Sequence, residues 1–534
     1  MGDSVLELRK LSVVLPPSAE RKNAVSDVHL ELLRNEVLCV VGESGSGKTI
    51  MARSVLGLLP PRVHITAGEI LLEGEDLRKA SAARMREIRG KRISMIFQEP
   101  RSALNPVKTI GSQIEEVLKI HTALGRRARL SLMRNLLESV KLSDPDRILV
   151  RYPHQISGGQ CQRAMIAMAL ALEPAVLIAD EPTTALDVTT QAQILRLIRD
   201  IQLARHMSVL FITHDFGVVA QIADRVAVMQ NGVLVEAGDA KQVLNFPRHP
   251  YTRSLIASVP DLVPKRLARS SEAAAVLSVA DLDKTFPAPR VFPGKTKVVH
   301  AVKTVTLTVK RGETLGLIGE SGSGKSTLAR CITRLIDANH GSVFVEDVDL
   351  MKLHGRALRP YRRRLQMVFQ DPYGSLDPRQ TVRQIIVEGP IAAGISNATA
   401  HARMRSLLGL VGLDESAADR YPHEFSGGQR QRVAIARALA LEPEILVADE
   451  PVSALDVSVQ AQVLKLLAAV RDRLNLAMIF ITHDLRVAAQ LCDTIAVMRY
   501  GEIVEYGTAA AVYGEPKHPY TQELFDAVPG KDFV

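Results

Sequence analysis

Short apolar runs recur along the chain, and each of them ends at glycine or at polar residues. Three runs occupy residues 36–41, 175–179 and 209–213, and three similar runs occupy residues 313–318, 445–448 and 478–482. Runs of this length are typical of buried strands. The longest apolar stretch, residues 165–179, is interrupted by Glu173-Pro174 and is too short to span a bilayer. The pattern predicts large α/β domains without a membrane-spanning helix.

The same motifs occur twice in the same order, which indicates duplication of a whole domain. Gly-Glu-Ser-Gly-Ser-Gly-Lys stands at residues 42–48 and 319–325, Ser-Gly-Gly-Gln at 157–160 and 426–429, Asp-Glu-Pro at 180–182 and 449–451, and Phe-Ile-Thr-His-Asp at 211–215 and 480–484. The last three pairs share an offset of 269 residues, and the lysines are 277 residues apart. A unit this long is not a solenoid repeat, whose period is about 20–50 residues.

A stretch with two prolines, basic residues, two serines and an alanine run separates the two copies. Such a composition is typical of a short linker. We therefore expect a first domain over residues 1–260, a linker over residues 261–275 and a second domain over residues 276–534. Each half is large enough for one α/β domain with a helical insertion.

The first repeated motif has the chemistry of a phosphate-binding loop. Its glycines let backbone N–H groups wrap a phosphate, and the helix that follows adds its positive N-terminus. Lys48 and Lys325 can reach the terminal phosphates of a nucleotide, and the hydroxyls of Thr49 and Ser326 can bind Mg²⁺. The candidate ATP-binding residues in these loops are Gly42, Ser44, Gly45, Gly47, Lys48 and Thr49, with Gly319, Ser321, Gly322, Gly324, Lys325, Ser326 and Thr327.

An acidic pair ends one apolar run in each half. Asp180 and Asp449 can hold Mg²⁺ at the tip of a buried strand, directly or through water. Glu181 and Glu450 come next and are placed to polarise an attacking water as general bases. An isolated acidic pair is more often a solvated strand edge, but the phosphate loops in both halves favour catalysis.

One histidine in each half follows another apolar run. His214 and His483 can hydrogen-bond a terminal phosphate or the attacking water. A single histidine at a strand end is usually structural, but recurrence in both halves favours a catalytic role.

The Ser-Gly-Gly-Gln motif distinguishes the chain from other phosphate-loop ATPases. Residues 156–163 and 425–432 resemble the signature of ABC ATPases. Their glycines free backbone N–H groups at a helix start, which makes an anion site with no ligand in its own half. The candidates are Ser157, Gly158, Gly159 and Gln160, with Ser426, Gly427, Gly428 and Gln429. The resemblance extends over nearly the whole chain through five or more ordered motifs in each half.

The resemblance to ABC ATPases implies a fold and an arrangement. Each half would be a P-loop ABC ATPase domain of the α/β class, with a RecA-like core, an antiparallel β part and a helical subdomain. The halves would form a head-to-tail sandwich with two ATP molecules, each between the phosphate loop of one half and the Ser-Gly-Gly-Gln motif of the other. Residues 185–187 and 454–456, both Ala-Leu-Asp, resemble the D-loops that cross that seam.

Two further features resemble peptide and nickel importers. Residues 98–106 and 370–378 are similar to their Q-loops, in which Gln98 and Gln370 would touch Mg²⁺ or water and the next turn would meet a membrane subunit. His-Pro-Tyr-Thr follows each core at residues 249–252 and 518–521. The fused double ATPase resembles those of microcin C, oligopeptide and glutathione importers. Peptides, glutathione, opine-like compounds and nickel all remain open as the solute.

This resemblance also implies partners and a location. Two integral-membrane permease subunits would contact the Q-loop surfaces, and a solute-binding protein would be linked to the chain indirectly. The chain would be a peripheral protein at the cytoplasmic face of the bacterial inner membrane.

The first half lacks an aromatic residue that the ABC pattern leads us to expect. Phe286 fits the position that stacks on adenine, whereas Leu15 occupies the matching position in the first half. Base–aromatic stacking is worth about 1–3 kcal/mol. We therefore predict weaker ATP binding at the Lys48 site than at the Lys325 site.

Two other positions differ between the halves. Ile50 stands where Thr327 follows the second phosphate loop, and Cys161 stands where Arg430 does. Neither difference affects the acidic pairs or the histidines, so both sites are expected to hydrolyse ATP.

Charge and cysteine content restrict the partners only loosely. A net charge of +9 suits an anionic partner, such as nucleotide, nucleic acid or the inner membrane face, but many soluble proteins are mildly basic. The four cysteines form no Cys-x-x-Cys pair, so neither a zinc site nor a disulfide framework is indicated, and a reducing compartment is expected. No cysteine lies between Thr252 and Ala275 or after Thr521, so we predict no iron–sulfur cluster.

Two other classes of ABC protein are alternatives to the importer. Translation and DNA-repair ABC proteins also pair two ATPase halves without membrane spans and would suit the basic charge. The linker is short and not helix-like, and zinc-binding cysteine pairs are absent, so no nucleic-acid partner is expected. Two complete sets of site residues disfavour a degenerate, regulatory ATPase.

Overall fold

The computed structural model describes residues 3–17, 21–184, 186–264, 274–287, 298–453, 455–531 and 533. These residues form two compact units. The first contains the described residues up to Leu186, Thr190–Val259 and the described residues from Pro529 onward, and the second contains Asp187–Thr189 and Pro260–Val528. Residues 265–273 of the expected linker lie outside the described part of the chain.

The first half alternates strands and helices. Its strands are β1 (Ser4–Val14), β2 (Asn23–Leu33), β3 (Val37–Val41), β4 (His64–Leu72), β5 (Glu75–Asp76), β6 (Ile93–Ile96), β7 (Val176–Asp180), β8 (Ser208–Ile212), β9 (Arg225–Gln230) and β10 (Val233–Asp239). Its helices are α1 (Lys48–Val55), α2 (Ala82–Ile88), α3 (Pro100–Ala103), α4 (Ile110–His121), α5 (Arg126–Ser139), α6 (Pro145–Leu149), α7 (Gly158–Ala169), α8 (Val188–Arg205), α9 (Phe216–Ile222), α10 (Ala240–Asn245) and α11 (Pro250–Ala257).

Two sheets form this half. An antiparallel sheet has the order β2-β1-β4-β5, and a six-stranded sheet has the order β10-β9-β3-β8-β7-β6, in which only β10 is antiparallel to its neighbour. Every residue of β3, β7 and β8 is buried, which explains their continuous apolar runs. Because the carboxyl ends of parallel strands meet at one edge, the loops after these three strands lie close together.

The buried side chains of β3 alternate between two hydrophobic clusters. Val37, Cys39 and Val41 pack in a cluster that includes side chains of α4, α5 and α7. Leu38 and Val40 pack in a second cluster, together with side chains of β1, β2 and β4. The parallel sheet is therefore covered by helices on one face and by the antiparallel sheet on the other.

The second half repeats this architecture. Its strands are β11 (Ala275–Pro287), β12 (Val298–Lys310), β13 (Thr314–Ile318), β14 (His340–Val345), β15 (Val348–Asp349), β16 (Leu365–Val368), β17 (Ile445–Asp449), β18 (Ala477–Thr482), β19 (Thr494–Arg499) and β20 (Glu502–Thr508). Its helices are α12 (Lys325–Ile332), α13 (Arg359–Arg364), α14 (Pro372–Ser375), α15 (Val382–Ala392), α16 (Asn397–Leu410), α17 (Gly427–Leu439), α18 (Val457–Leu474), α19 (Leu485–Leu491), α20 (Ala509–Gly514) and α21 (Pro519–Asp526).

Its sheets have the orders β12-β11-β14-β15 and β16-β17-β18-β13-β19-β20, the same topology as in the first half. The expected α/β fold is confirmed in each half: a parallel core, an antiparallel β part and a helical part. No helix in the described ranges is long and apolar enough to cross a membrane.

Candidate active site

The loop between β3 and α1 has a backbone that only glycine fits well at its last position. Gly47 has φ +105°, a region that L-residues avoid, and a Cβ there would lie 2.3 Å from the carbonyl oxygen of Ala24. In the second half, Gly324 has φ +110°, and a Cβ would lie 2.0 Å from the carbonyl oxygen of Ala301. The same loop shape is therefore built twice, against the strand that precedes each parallel core.

The lysine that follows this glycine holds the loop from within. Lys48 is buried, and its Nζ donates hydrogen bonds to the carbonyl oxygens of Gly42 and Glu43, at 2.6 and 2.9 Å. Lys325 Nζ makes the same contacts at 2.7 and 2.8 Å. Burial lowers the pKa of Lys325, which nearby Glu450 partly offsets. Ser44, Gly45, Ser321 and Gly322 are exposed at the tips of the two loops.

A hydroxyl from the first turn of each helix meets the aspartate at the end of the adjacent strand. Thr49 Oγ1 donates to Asp180 Oδ1 at 2.9 Å, and Ser326 Oγ donates to Asp449 Oδ1 at 3.0 Å. Burial raises the pKa of both aspartates. The second oxygen of Asp180, Oδ2, is buried and has no hydrogen-bond partner among the described residues.

This arrangement fits a hard divalent cation. An unpaired buried carboxylate oxygen beside a hydroxyl matches the oxygen ligands that Mg²⁺ takes. The part of the chain that the structure describes contains no cluster of three or more His, Cys, Asp or Glu residues able to hold a metal. Mg²⁺ usually takes one or two carboxylates and completes its shell with waters and substrate phosphates.

The glutamate after each strand has a strained backbone and a well-defined set of partners. Glu181 has φ +47° and lies between three side chains. Gln98 Nε2 and Thr184 Oγ1 each donate to Glu181 Oε2 at 2.9 Å, and His214 Nδ1 lies 3.3 Å from Oε1. Burial acts to raise the pKa of Glu181, but the hydrogen bonds from His214 and Thr184 outweigh it and lower the pKa to about 2.

The second half repeats this cluster. Gln370 Nε2 donates to Glu450 Oε2 at 2.8 Å, and His483 Nδ1 lies 3.3 Å from the same oxygen. Glu450 has φ +45°. Burial opposes ionisation of this pair, yet their mutual attraction lowers the pKa of Glu450 and raises the pKa of His483. In both halves, the glutamine contacts the glutamate, so the sequence-predicted catalytic side chains lie together.

A cavity of about 760 Å³ opens beside the first phosphate loop. Its lining includes Lys48, Thr49, Gln98 and Glu181, together with the two apolar residues that depart from the ABC pattern, Leu15 and Ile50. Sequence reasoning missed two polar residues of the lining, Arg21 and Asn231. The guanidinium of Arg21 donates to the carbonyl oxygen of Gly45 in the loop itself.

The aromatic residue of the second half lies near the end of β11. Phe286 pairs with Val299 of β12, two residues before Ala301, whose carbonyl crowds Gly324. Its side chain is 39% exposed, and Lys284 Nζ lies 5.1 Å from the ring centroid. Thr327 is half-buried in α12.

The Ser-Gly-Gly-Gln motif forms the start of α7 and of α17. Ser157 caps α7, accepting the N–H of Gln160 at 3.2 Å, while Gln160 Oε1 accepts the N–H of Ser157 at 3.0 Å. Ser426 and Gln429 form the same capping box at α17. Such a box satisfies two backbone donors and leaves others of the first turn available.

The second glycine of the motif also has a packing role that the sequence did not reveal. A Cβ at Gly428 would lie 2.3 Å from a methyl group of Val459, and a Cβ at Gly159 would lie 3.1 Å from the methyl group of Thr190. Gly158 has open space at its Cβ position, and Gly427 has only ordinary contact. The second glycine therefore allows close approach of α8 in the first half and of α18 in the second half.

The structure describes the turns of the expected Q-loops, but only part of each expected D-loop. The turns after Gln98 and Gln370 contain the short helices α3 and α14. Ala185 and Ala454, the first residues of the expected D-loops, lie outside the described residues.

Cys161 and Arg430 occupy equivalent positions in the two halves. Cys161 Sγ lies 3.3 Å from the carbonyl oxygen of Pro153, and Arg430 Nε donates to the carbonyl oxygen of Pro422.

Known proteins resemble the chain over nearly its full length. The family described as "ABC transporter" matches residues 25–184 and 302–453, and "Oligopeptide/dipeptide transporter, C-terminal region" matches residues 235–285 and 504–533. The glutathione import ATP-binding protein GsiA of Salmonella paratyphi A is 45% identical over 560 residues, covering 99% of this chain and 90% of that protein.

A second relative and a solved structure extend this comparison. GsiA of Escherichia coli is 44% identical over 558 residues, covering 98% of this chain and 90% of that protein. Among solved structures, the ATP-binding cassette MJ0796 bound to ADP and Pi is 30% identical, with a TM-score of 0.40, and the match covers 44% of this chain and 98% of that chain.

Proposed function

This chain belongs to the ABC transporter family of ATP-binding proteins, and from that premise we propose that it drives import of a peptide-like solute by hydrolysing ATP at two sites. ATP hydrolysis follows from the family. The solute class is our proposal, supported by the C-terminal region shared with oligopeptide and dipeptide transporters and by the glutathione import proteins it resembles. Glutathione is itself a small peptide, so both likenesses favour one chemical class.

The observation that carries the proposal is the duplicated cluster of glutamate, histidine and glutamine beside a phosphate loop. Glu181 and Glu450 have lowered pKa values and stay ionised at neutral pH, which is the form that a general base needs to accept a proton from an attacking water. His214 and His483 orient these carboxylates. Gln98 and Gln370 each donate a hydrogen bond to the same carboxylates and so link them to the turn that follows the glutamine.

We also propose that Mg²⁺ accompanies each ATP. Thr49 with Asp180, and Ser326 with Asp449, would hold the cation, with Gln98 and Gln370 near it. When bound, Mg²⁺ would neutralise charge on the β- and γ-phosphates. Lys48 and Lys325 would exchange their loop carbonyls for phosphate oxygens.

Each ATP is proposed to bind between the phosphate loop of one half and the Ser-Gly-Gly-Gln helix start of the other. Ser157 to Gln160 would complete the Lys325 site, and Ser426 to Gln429 would complete the Lys48 site. The capping boxes support this assignment, because they hold the first turn of α7 and α17 with its remaining N–H groups available to an anion.

Family membership implies partners in the membrane, and we propose two permease subunits that contact the turns after Gln98 and Gln370. A solute-binding protein would deliver the solute to those subunits. The chain would lie at the cytoplasmic face of the inner membrane. The division into residues 1–260, 261–275 and 276–534 is part of the proposal, and cleavage near residues 261–275 in limited proteolysis would test it.

Replacing both glutamates tests the catalytic assignment. Glu181→Gln with Glu450→Gln should lower ATP turnover by about 10²–10⁴, because a general base contributes about this much, while ATP binding persists. The matched control is Glu173→Gln with Glu442→Gln, two exposed glutamates that have the same offset of 269 residues. Undiminished turnover in the first double variant would refute the assignment.

Co-purification tests the transport assignment. We expect integral-membrane subunits to co-purify with the chain, and uptake of a di- or tripeptide by the reconstituted complex to require ATP. Recovery of ribosomes or DNA instead would contradict the importer assignment.

A further inference from the structure

The His-Pro-Tyr-Thr motif begins a short helix in each half, and its first two residues fix that start. His249 Nδ1 accepts the N–H of Tyr251 at 3.2 Å, and His518 Nδ1 accepts the N–H of Tyr520 at 3.1 Å. Proline occupies the first helical position, where a missing N–H removes no helical hydrogen bond. The side chain of the tyrosine therefore projects from the start of the helix in a defined direction.

A half-buried carboxylate fixes this helix start to the sheet. Glu236 of β10 accepts the N–H groups of Arg248 and His249 at 2.7 and 3.1 Å. In the second half, Glu505 of β20 accepts the N–H groups of Lys517 and His518 at 2.9 and 3.0 Å. Hydrogen bonds to a charged acceptor are stronger than neutral ones, so the helix is held firmly against the strand.

The tyrosine hydroxyl then reaches the phosphate loop. The N–H of Glu43 donates to Tyr251 Oη at 3.2 Å, and the N–H of Glu320 donates to Tyr520 Oη at 3.0 Å. Glu43 and Glu320 are the second residues of the two phosphate loops. Their carbonyl oxygens accept hydrogen bonds from the loop lysines. The backbone of each glutamate is therefore hydrogen-bonded twice, through its N–H to the tyrosine and through its C=O to the lysine.

We propose that Tyr251 and Tyr520 are positioning residues of the nucleotide sites, which hold the phosphate loop in the shape that binds ATP. A buried N–H without a partner costs free energy, so the hydroxyl selects the loop conformation in which this N–H points at the tyrosine. The C-terminal region of each half thereby belongs to its own ATP site. This inference rests on the proposed nucleotide sites.

The two tyrosines differ in how completely they are enclosed. Tyr520 is 1% exposed, and the guanidinium of Arg499 lies 4.3 Å from its ring centroid. Tyr251 is half-buried, and its hydroxyl also donates to Glu43 Oε2 at 3.3 Å. Gln230 stands where the second half has Arg499. Water can replace a half-buried hydroxyl more easily, so loss of the Tyr520 hydroxyl has the larger effect.

The test removes one hydroxyl at a time. In a Lys48→Ala background, which leaves the second site, Tyr520→Phe should raise the KM and Kd for ATP about tenfold with kcat within about twofold. In a Lys325→Ala background, Tyr251→Phe should raise both about threefold. Kd is measured by titration with a fluorescent ATP analogue, and KM and kcat by phosphate release from the full chain.

A matched control removes a hydroxyl from the same region without touching the loop. Tyr513 Oη donates to the carbonyl oxygen of Leu485 at 2.6 Å, so Tyr513→Phe should lower the melting temperature and leave KM unchanged. An unchanged KM in both Tyr520→Phe and Tyr251→Phe overturns the inference. So does a fall in melting temperature and kcat with KM unchanged, because that is the result of a structural role alone.

The lysine variants separate this inference from the proposed function. If Lys48→Ala with Lys325→Ala binds ATP as tightly as the unaltered chain, the proposed nucleotide sites are wrong. If the double lysine variant loses ATP binding while the tyrosine variants keep their KM, only the positioning role is wrong. Should Tyr520→Phe fail to fold, the half-buried Tyr251 gives the same test.

Discussion

Exchanging Leu15 and Phe286 should exchange the relative affinities of the two ATP sites. Leu15 lines the cavity beside the first phosphate loop, and Phe286 is the penultimate residue of β11 in the second half. Leu15→Phe should strengthen ATP binding at the first site, because it restores an aromatic face for adenine. Phe286→Leu should weaken binding at the second site for the converse reason.

The exposed surface of Phe286 determines how large the difference in ATP affinity should be. A phenylalanine offers about 200 Å² of surface, so an exposure of 39% leaves about 80 Å² for adenine to cover. At about 25 cal/mol per Å², full coverage stabilises the complex by about 2 kcal/mol, which agrees with about 1–3 kcal/mol for stacking. Leucine retains part of the apolar contact, so the net difference is about 1 kcal/mol, or about fivefold in Kd.

The assay is titration of single-site chains with a fluorescent ATP analogue. Lys325→Ala leaves the first site, Lys48→Ala leaves the second, and the first should bind about fivefold more weakly. Leu15→Phe should close that gap, whereas Leu58→Phe, at an exposed leucine that does not line the cavity, should not. Equal affinities of the two single-site chains, or no response to Leu15→Phe, would refute the reasoning.

Three further predictions concern the loop, the core and pH. Gly324→Ala should abolish ATP binding at the second site, because the added Cβ would collide with the carbonyl oxygen of Ala301. Gly409→Ala is the control and should be tolerated, because the space around a Cβ at this position of α16 is open. Titration with the fluorescent ATP analogue checks both variants. Arg471→Leu should lower the free energy of unfolding, measured by urea titration, by about 3 kcal/mol. The reason is that the fully buried guanidinium of Arg471 donates to the hydroxyl of Thr314 and compensates the charge of buried Asp493. An unchanged free energy of unfolding would contradict this prediction. The pKa of His483 is raised from 6.5, so its contribution to stability is complete below pH 6.5 and is lost as pH rises through the folded pKa. Melting temperatures should fall over that range, and His483→Gln should flatten the slope.

Local patterns predicted the parts of the site that lie within one element and its following loop. The strand before Gly42, the strand that ends at Asp180 and the helix that starts at Lys48 were all readable from apolar runs and motif spacing. Each of these three elements is specified by residues that are close together in the sequence, so the sequence alone was enough to predict them. The repeat of the motifs predicted that both halves have the same fold, and their sheets do have the same strand order.

Contacts between distant segments could not be predicted in this way. The hydroxyl of Tyr251 meets the backbone of Glu43, 208 positions earlier, and only the folded sheet brings them together. Arg21 belongs to no motif, although it lines the first cavity. The close approach of Gly428 to Val459 likewise depends on how two helices pack.

A nucleotide-dependent cross-link tests the central claim, that each ATP joins the phosphate loop of one half to the glycine motif of the other. Cysteines are placed at Ser44 and Ser426 in the Glu181→Gln, Glu450→Gln chain, where the four native cysteines are buried. The account predicts a disulfide that forms with ATP and not without it, and no disulfide when the second cysteine is placed at Ser157 instead. Cross-linking at Ser157 but not at Ser426, or a yield at Ser426 that ignores ATP, would contradict the account.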